Sequence, residues 1–407
     1  MDTVRGNGQY LRSDLGISGA TPDYTNITSF NTNGFTLGTN TQTSFVRTNY
    51  SGEQTVAWTF RKSPKFFDVV SFSGNGAVQT INHALGQTPG MIICRRLDSG
   101  SSWFVYHIGL GNTKVSYLST TEAAQTLSTA WDNTSPTLST FTVGTSISVS
   151  GSTWIAYLFA HDPSAEGIIQ CGSFTTSAGQ DAQITNIGWE PQFVLAKSTS
   201  NIGDWMICDE TRGFPTQPGG QSIIANSSTV STTSGISILP NGFRHSGLNT
   251  STDNIYVAIR IRNKIPTTGS EILQVINRTG NGSGATLSVG FSPDLVISKC
   301  RSNFVVPVFI DKIRGNYKVL NVNLNDVEYN DVSGLPVFVK NGITFGADGG
   351  YFTLNYNSYT YSTFLFKRAI SIFDIFAYTG TGANQNIPHN LGVLPELWIV
   401  KCRNEPT

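Results

Sequence analysis

The chain has 407 residues, 26 Lys plus Arg balanced by 26 Asp plus Glu, and only 13% charged residues. That length exceeds what one ordinary core serves and suits three or four domains of about 100 residues. Sparse, balanced charge offers no basic field to gather phosphates and no acidic tail, so nucleic acid is not an expected partner. No apolar run approaches the roughly 18 residues of a membrane span, and the opening MDTVRGNGQYLRSDL lacks the apolar stretch of a signal peptide. The five cysteines, Cys94, Cys171, Cys208, Cys300 and Cys402, are odd in number and never spaced CxxC. They read as buried free thiols, not as a disulfide framework or a zinc site.

In chain order, the first element is DTVRG with Asp2 and Arg5, followed by NGFTLG at Asn33 and the strand-like QTVAWTFRK ending at Lys62. A strand FDVVSFSGNG opens at Phe67, and LGQTPGMIICRR over 85–96 leads from a Gly and Pro turn into an apolar strand. WFVYHIGL, STFTVG and the strand STWIAYLFAHD close this unit before Pro163. The same series then recurs. IIQCGSFTTSAG at Ile168, IGWEPQFVLAKS at Ile187, DETRG, NGFRHSG and DNIYVAIRIRN form one copy; ILQVINRTGNG at Ile272, VGFSPDLVISKC at Val289, DKIRG, NGITFG and TYSTFLFKRA form the next. FDIFAYTGTG at Phe373 and LGVLPELWIVKC at Leu391 begin a fourth.

The period is 102 residues: Gly86, Gly188, Gly290 and Gly392 keep it, as do Pro89, Pro191, Pro293 and Pro395 and the basic Arg95, Lys197, Lys299 and Lys401. The expected units are therefore a partial copy over 1–65, complete copies over 66–164, 165–266 and 267–369, and the early part of a copy over 370–407. Strand alternation, as in Tyr256, Ala258, Arg260 against Val257, Ile259, Ile261, with no convincing helical period, predicts an all-β chain. The architecture expected is a tandem array of β-sandwich repeats of about 100 residues each. The post-proline strand carries large apolar residues two and four positions on (Met91 and Ile93, Phe193 and Leu195, Leu295 and Ile297, Leu397 and Ile399), and its other face is rarely charged. It should lie centrally in its sheet, with the large residues facing the core and the basic residue after them reaching water. The two end pieces each lack half a copy and need a partner, supplied by missing sequence of a longer parent chain, by closure onto one another, or by exchange with a neighbouring subunit.

The best candidate for chemistry is the mid-copy pair Asp209 and Arg212, repeated as Asp311 and Arg314 and as Asp2 and Arg5. Three residues apart before a glycine, such a pair braces a turn. His107 and Leu110 stand in its place in the first complete copy. His83 and His389, three periods apart, read as turn caps, because Thr185 and Leu287 hold the matching positions and no ligand set converges. No HExxH, GxSxG or phosphate-loop motif is present, so no catalytic, cofactor or metal residue is expected. Trp58, Trp103, Trp154, Trp205 and Trp398 lie in strand patterns and read as core, with sugar stacking as the competing role.

TINHALGQTPGMIICRR, WFVYHIGL, STWIAYLFAHD, IGWEPQFVLAKS and DTVRG resemble a repeated domain of tailed-bacteriophage virion proteins, notably tail fibres of marine phages. The resemblance spans nearly the whole chain and weakens over 270–370, where Pro307 stands in the column of Trp103 and Trp205. It implies a non-enzymatic virion component, assembled in the host cytoplasm, whose partners are copies of itself, other virion proteins and a host surface glycan. A bacterial surface adhesin or carbohydrate-binding module is the alternative, and a glycan depolymerase the third reading.

Overall fold

The structure, a computed structural model, describes residues 1–15, 26–32, 34–39, 48–53, 55–164, 167–179, 181–212, 221–229, 232–233, 235–239, 241–246, 251–260, 266, 268–321, 323–331, 336–339, 341–347, 352, 354–387, 389 and 391–405. Asn33, Gln54, Gly213, Gly247, Ile261, Arg262 and Asn263 of the motifs above lie outside them.

A hairpin of β1 (Ile27–Asn31) and β2 (Gly34–Leu37) precedes the repeats. Repeat 1 contains β3 (Phe67–Ser73), β4 (Gln79–Asn82), β5 (Pro89–Arg96), β6 (Phe104–His107), β7 (Lys114–Tyr117), β8 (Gln125–Thr126), the one-turn helix α1 (Ser128–Trp131), β9 (Thr140–Val143) and β10 (Thr153–Ala160). Repeat 2 contains β11 (Ile169–Thr176), β12 (Ala182–Ile184), β13 (Pro191–Ser198), β14 (Trp205–Asp209), β15 (Gln221–Ile224), β16 (Thr232–Thr233), β17 (Ile236–Leu239), β18 (Gly242–His245) and β19 (Thr252–Arg260). Repeat 3 contains β20 (Leu273–Thr279), β21 (Ala285–Ser288), β22 (Leu295–Cys300), β23 (Val308–Asp311), β24 (Lys318–Asn321), β25 (Tyr329–Asn330), β26 (Val337–Val339), β27 (Gly342–Phe345) and β28 (Thr360–Phe366).

Each repeat builds one six-stranded antiparallel sheet in the same order: β3-β10-β5-β6-β7-β8, β11-β19-β13-β14-β15-β16 and β20-β28-β22-β23-β24-β25. The chain is a tandem all-β array, as its period requires. The post-proline strands β5, β13 and β22 are third in each sheet, flanked by the closing strand and the mid-copy strand. A smaller sheet covers one face, β12-β18-β17 in repeat 2 and β21-β27-β26 in repeat 3. Repeat 1 pairs β4 with β9, and α1 beside them buries Trp131 against Tyr106, ring centroids 5.7 Å apart.

The repeated glycine has its reason in the backbone. Gly86, Gly188, Gly290 and Gly392 sit at φ of +61°, +79°, +82° and +71°, the left-handed region that a Cβ disfavours. The turn this makes aims the following proline into the central strand.

The parity of that strand departs from expectation. In repeat 2 the residues facing the small sheet are Val194 and Ala196, which join Ile184, Cys208, Phe243, Tyr256 and Ala258 in the sandwich core. The larger Leu195 belongs to a different cluster, shared with repeat 1. The six-stranded sheet of repeat 2 is apolar on both faces because one packs within its own repeat and the other against repeat 1. Which face is the core could not be read from side-chain size.

The end pieces also differ from their copies. Over 55–62 and over 391–405 the described residues form no strand, although QTVAWTFRK and LGVLPELWIVKC match ladder strands elsewhere. In complete copies the closing strand lies between the opening and post-proline strands, and an extended segment without such neighbours has no ladder to join. Trp398, expected in a strand, is 55% exposed. Phe60 packs on Phe66, Phe67, Phe159 and Phe193, whereas Lys401 and Arg403 bond to Leu324 and Glu328 of repeat 3.

Candidate functional site: the repeat junctions

The polar motifs converge on the seams between repeats. At the mid-copy strand ends, Asp209 Oδ1 accepts the backbone N–H of Arg212 at 3.1 Å and Oδ2 accepts Nε at 2.8 Å, while Arg212 Nη2 donates to the Ile207 carbonyl at 2.9 Å. Asp311 and Arg314 repeat this brace, with Arg314 Nη2 on the Phe309 carbonyl at 3.0 Å. Asp2 and Arg5 do so as well, and Asp2 also accepts the Tyr157 hydroxyl at 2.9 Å. All three pairs are largely buried. Asp209 further accepts Trp58 Nε1 at 3.2 Å, so this brace ties residues of the leading segment to repeat 2.

His107, which replaces the aspartate in repeat 1, is fully buried and does a related task with different chemistry. Its Nδ1 accepts the Gly109 N–H at 3.0 Å, which leaves the ring proton on Nε2 to donate to the Tyr256 carbonyl of repeat 2 at 3.0 Å. Burial pushes its pKa down to about 4. His161 stands at the same seam, its Nδ1 accepting the Cys171 N–H at 3.3 Å, and burial lowers its pKa too. Burial pushes the Cys171 thiol up, as it does Cys94, and four of the five cysteines are buried thiols outside any disulfide. Cys402 is partly exposed.

The basic residue at the end of the post-proline strand does not reach water in repeats 1 and 2. Lys197 has no exposed surface, and its Nζ donates to the carbonyls of Thr121 (3.2 Å) and Glu122 (3.0 Å) in repeat 1 and of Ser198 (2.7 Å). Burial lowers its pKa to about 8, with Asp204 opposing. Arg95, also buried, donates to the Ser101 carbonyl. Lys401 repeats the reach of Lys197 toward the preceding unit, bonding the Leu324 carbonyl at 2.9 Å. Beside these residues the tryptophan column makes a second clasp. Trp205 Nε1 donates to the Tyr117 carbonyl at 2.9 Å, and Trp103 Nε1 to the carbonyls of Arg12 at 3.0 Å and Leu15 at 3.2 Å. These tryptophans are core residues, but the core belongs to two units at once.

The seam between repeats 2 and 3 is built differently. Pro307 replaces the tryptophan, and the seam is made by ion pairs: Arg368 Nη1 to Glu190 Oε2 at 2.5 Å and Lys312 to Glu210 at 3.6 Å. Asp294 and Asp374 also face Arg368, at 3.7 and 4.0 Å. Burial opposes the charge on Arg368, but Glu190 and Asp294 outweigh it and raise its pKa. Burial raises the pKa of Glu190 against the pull of Arg368.

His83 and His389 hold turns: Nδ1 of each accepts the N–H two residues on, from Leu85 at 3.2 Å and Leu391 at 3.3 Å. Among the described residues, no three His, Cys, Asp or Glu side chains are grouped so as to hold a metal ion. The Asp–Arg pairs, His107, the tryptophan column, the post-proline basic residues and the turn histidines are legible in the sequence; His161 and the ion-pair residues Glu190, Glu210, Asp294, Lys312, Arg368 and Asp374 are not singled out there, Glu190 and Arg368 being the pair that closes the seam. Neither recurs at the period, and a repeat argument passes over whatever a single copy contributes.

Taken together, the geometry defines a repeat protein whose units are joined across their seams, repeats 1 and 2 by a shared apolar core and hydrogen bonds and repeats 2 and 3 by ion pairs. The chain belongs to the family described as a domain of unknown function, DUF7483, which matches residues 1–259 and 268–407. No curated protein and no solved structure matches it.

Proposed function

We propose that the protein is a non-enzymatic structural component of a phage virion, a tail fibre or similar appendage whose β-sandwich repeats stack into a stiff shaft. The observation that supports this most is the seam between repeats 1 and 2. One apolar cluster runs through both units, from Met91 and Ile93 to Leu195 and Val257, and is sealed by Lys197, Trp205 and His107. Repeats joined in this way resist bending, because a change of angle would open a packed core and strand a buried ammonium. The partners of such a shaft are copies of itself, other virion proteins and a host surface glycan.

Immunogold labelling of purified phage particles with antibody against residues 66–164 tests the proposal. Label along a fibre is the expected result; label on the bacterial envelope and none on particles would overturn it. The adhesin reading draws on Phe304, a fully exposed aromatic at a loop tip of the kind that stacks on sugars. A glycan array comparing wild type with Phe304→Ala separates that role, which requires Phe304-dependent saccharide binding.

A further inference from the structure

We propose that the outer face of the six-stranded sheet of repeat 3 is a docking face for a second copy of this chain. The inference stands on the geometry of the chain itself and survives if the virion reading fails. In each sheet one row of side chains crosses five strands on the face turned away from the small sheet. Cross-strand pairing defines it as Val69, Tyr157, Ile93, Val105 and Ser116 in repeat 1. In repeat 2 the row begins with Cys171 and Val257 and continues through Leu195, Ile207 and Ile223. In repeat 3 it is Val275, Phe364, Ile297, Phe309 and Leu320.

The third row is apolar throughout, more so than the first with its Tyr and Ser. Burial runs the other way. Val69 is 5% exposed and Cys171 2%, whereas Val275 is 51% exposed, and no member of the repeat 3 row is buried. Lys299 lies on the same face as Ile297. Its counterpart Lys197 is sunk among carbonyls of the preceding repeat, but Lys299 is exposed and donates within its own repeat, to the Val305 carbonyl at 3.3 Å.

The sister rows show what kind of surface fits. The row of repeat 2 is covered by a repeat, since repeat 1 shares its apolar cluster with Leu195 and Val257, and the row of repeat 1 is covered by the leading segment, a partial copy, whose Leu11 and Phe60 lie against Phe67 and Val69. The cover for repeat 3 is therefore also a repeat of this kind. Repeat 2 of the same chain is held elsewhere, because moving it onto the face would break the buried contact of Arg368 with Glu190 at 2.5 Å and separate Lys312 from Glu210. Among the described units none covers the face, and the occupant we commit to is a second copy, which carries the same kind of repeat. Five strands about 4.8 Å apart give a face roughly 20 Å wide, the size of a weak, reversible interface and not an obligate one.

Sedimentation velocity of the full chain over a micromolar to sub-millimolar series tests this, with Val275→Lys and Lys299→Ala on the face and Ile202→Lys as a control. Val275 is half wet and Ile202 79% exposed, so both lysines reach water and the fold persists, which circular dichroism checks. Expected is a reversible monomer–dimer equilibrium, weakened at least tenfold by Val275→Lys, weakened also by Lys299→Ala, and unchanged by Ile202→Lys. A wild type that is monomeric throughout, a Val275→Lys protein that associates as well as wild type, or an Ile202→Lys protein that loses association equally would overturn the proposal.

Discussion

Acid should loosen the seam between repeats 1 and 2 through His107. The ring is fully buried, its Nδ1 already accepts the Gly109 N–H, and its Nε2–H is committed to the Tyr256 carbonyl. A second proton would have to enter at Nδ1, against a donor and without water. The folded pKa is thus depressed to about 4 from 6.5. Between those values the unfolded chain binds more protons than the folded one, so the contribution is fully present above pH 6.5 and is lost as pH falls through 4. At about 1.4 kcal/mol per unit, the loss is on the order of 3 kcal/mol. His161 titrates on the same side of the seam, and Tyr106, Tyr256 and Cys171, raised by burial, stay neutral throughout this window. His107→Gln keeps an N–H for the Tyr256 carbonyl and removes the titration. Urea unfolding followed by tryptophan fluorescence at pH 7 and pH 4.5, in wild type and variant, isolates His107 by difference, since His161 is common to both. The wild type should lose more stability on acidification than the variant. Equal losses would show that protonation of His107 is not coupled to the seam.

Asp209→Ala leaves the Arg212 guanidinium buried without its carboxylate and should cost about 3 kcal/mol, far more than an exposed pair would, measurable by chemical denaturation; a cost below about 1 kcal/mol would mean the pair is solvated. Gly188→Ala meets no atom within 4 Å of the added Cβ, so its expected cost, roughly 1–2 kcal/mol, is that of the left-handed backbone alone, and thermal unfolding reads it. Trp205→Phe deletes the bond to the Tyr117 carbonyl and should destabilise repeats 1 and 2 together by about 1–2 kcal/mol, visible as earlier hydrogen exchange on both sides of the seam. Lys197, depressed from 10.5 to about 8, makes the unfolded chain the better proton binder between those values. Stability should therefore rise with pH across that window in wild type and stay flatter in Lys197→Met, and an identical slope in the two proteins would refute the link.

The period made the strands legible. A glycine that must turn left-handed, a proline that must open a strand and an apolar run after it recur at one spacing, and each has a local cause that a sequence carries on its face. The direction each face looks was not legible, because it depends on a neighbour. Leu195 is larger than Val194, and size alone points Leu195 to the core; the fold gives Val194 to its own sandwich and Leu195 to the seam. The basic residue after it was misread for the same reason. A lysine at a strand end ordinarily extends into water, and Lys197 would do so in an isolated repeat. The carbonyls of Thr121 and Glu122 that hold it come from the repeat before.

His107 illustrates the limit from the other side. Its departure from the aspartate column was visible, but nothing in YHIGL tells that its ring bonds a carbonyl 149 residues further on. The aspartates brace turns within one repeat, with Arg three residues later, and so leave a spacing to find; histidine here has no arginine to pair and is free to bridge outward. Repeat 3 carries the argument to its end. Its row of Val275, Phe364, Ile297, Phe309 and Leu320 fits the pattern better than either sister row, yet it is the one with no buried member. Pattern conveys that a surface wants cover, and only the seam residues convey whether the chain supplies it. Where Trp205 and Lys197 clasp the preceding repeat, that repeat supplies the cover; where Pro307 and the Arg368–Glu190 pair replace that clasp, the preceding repeat does not.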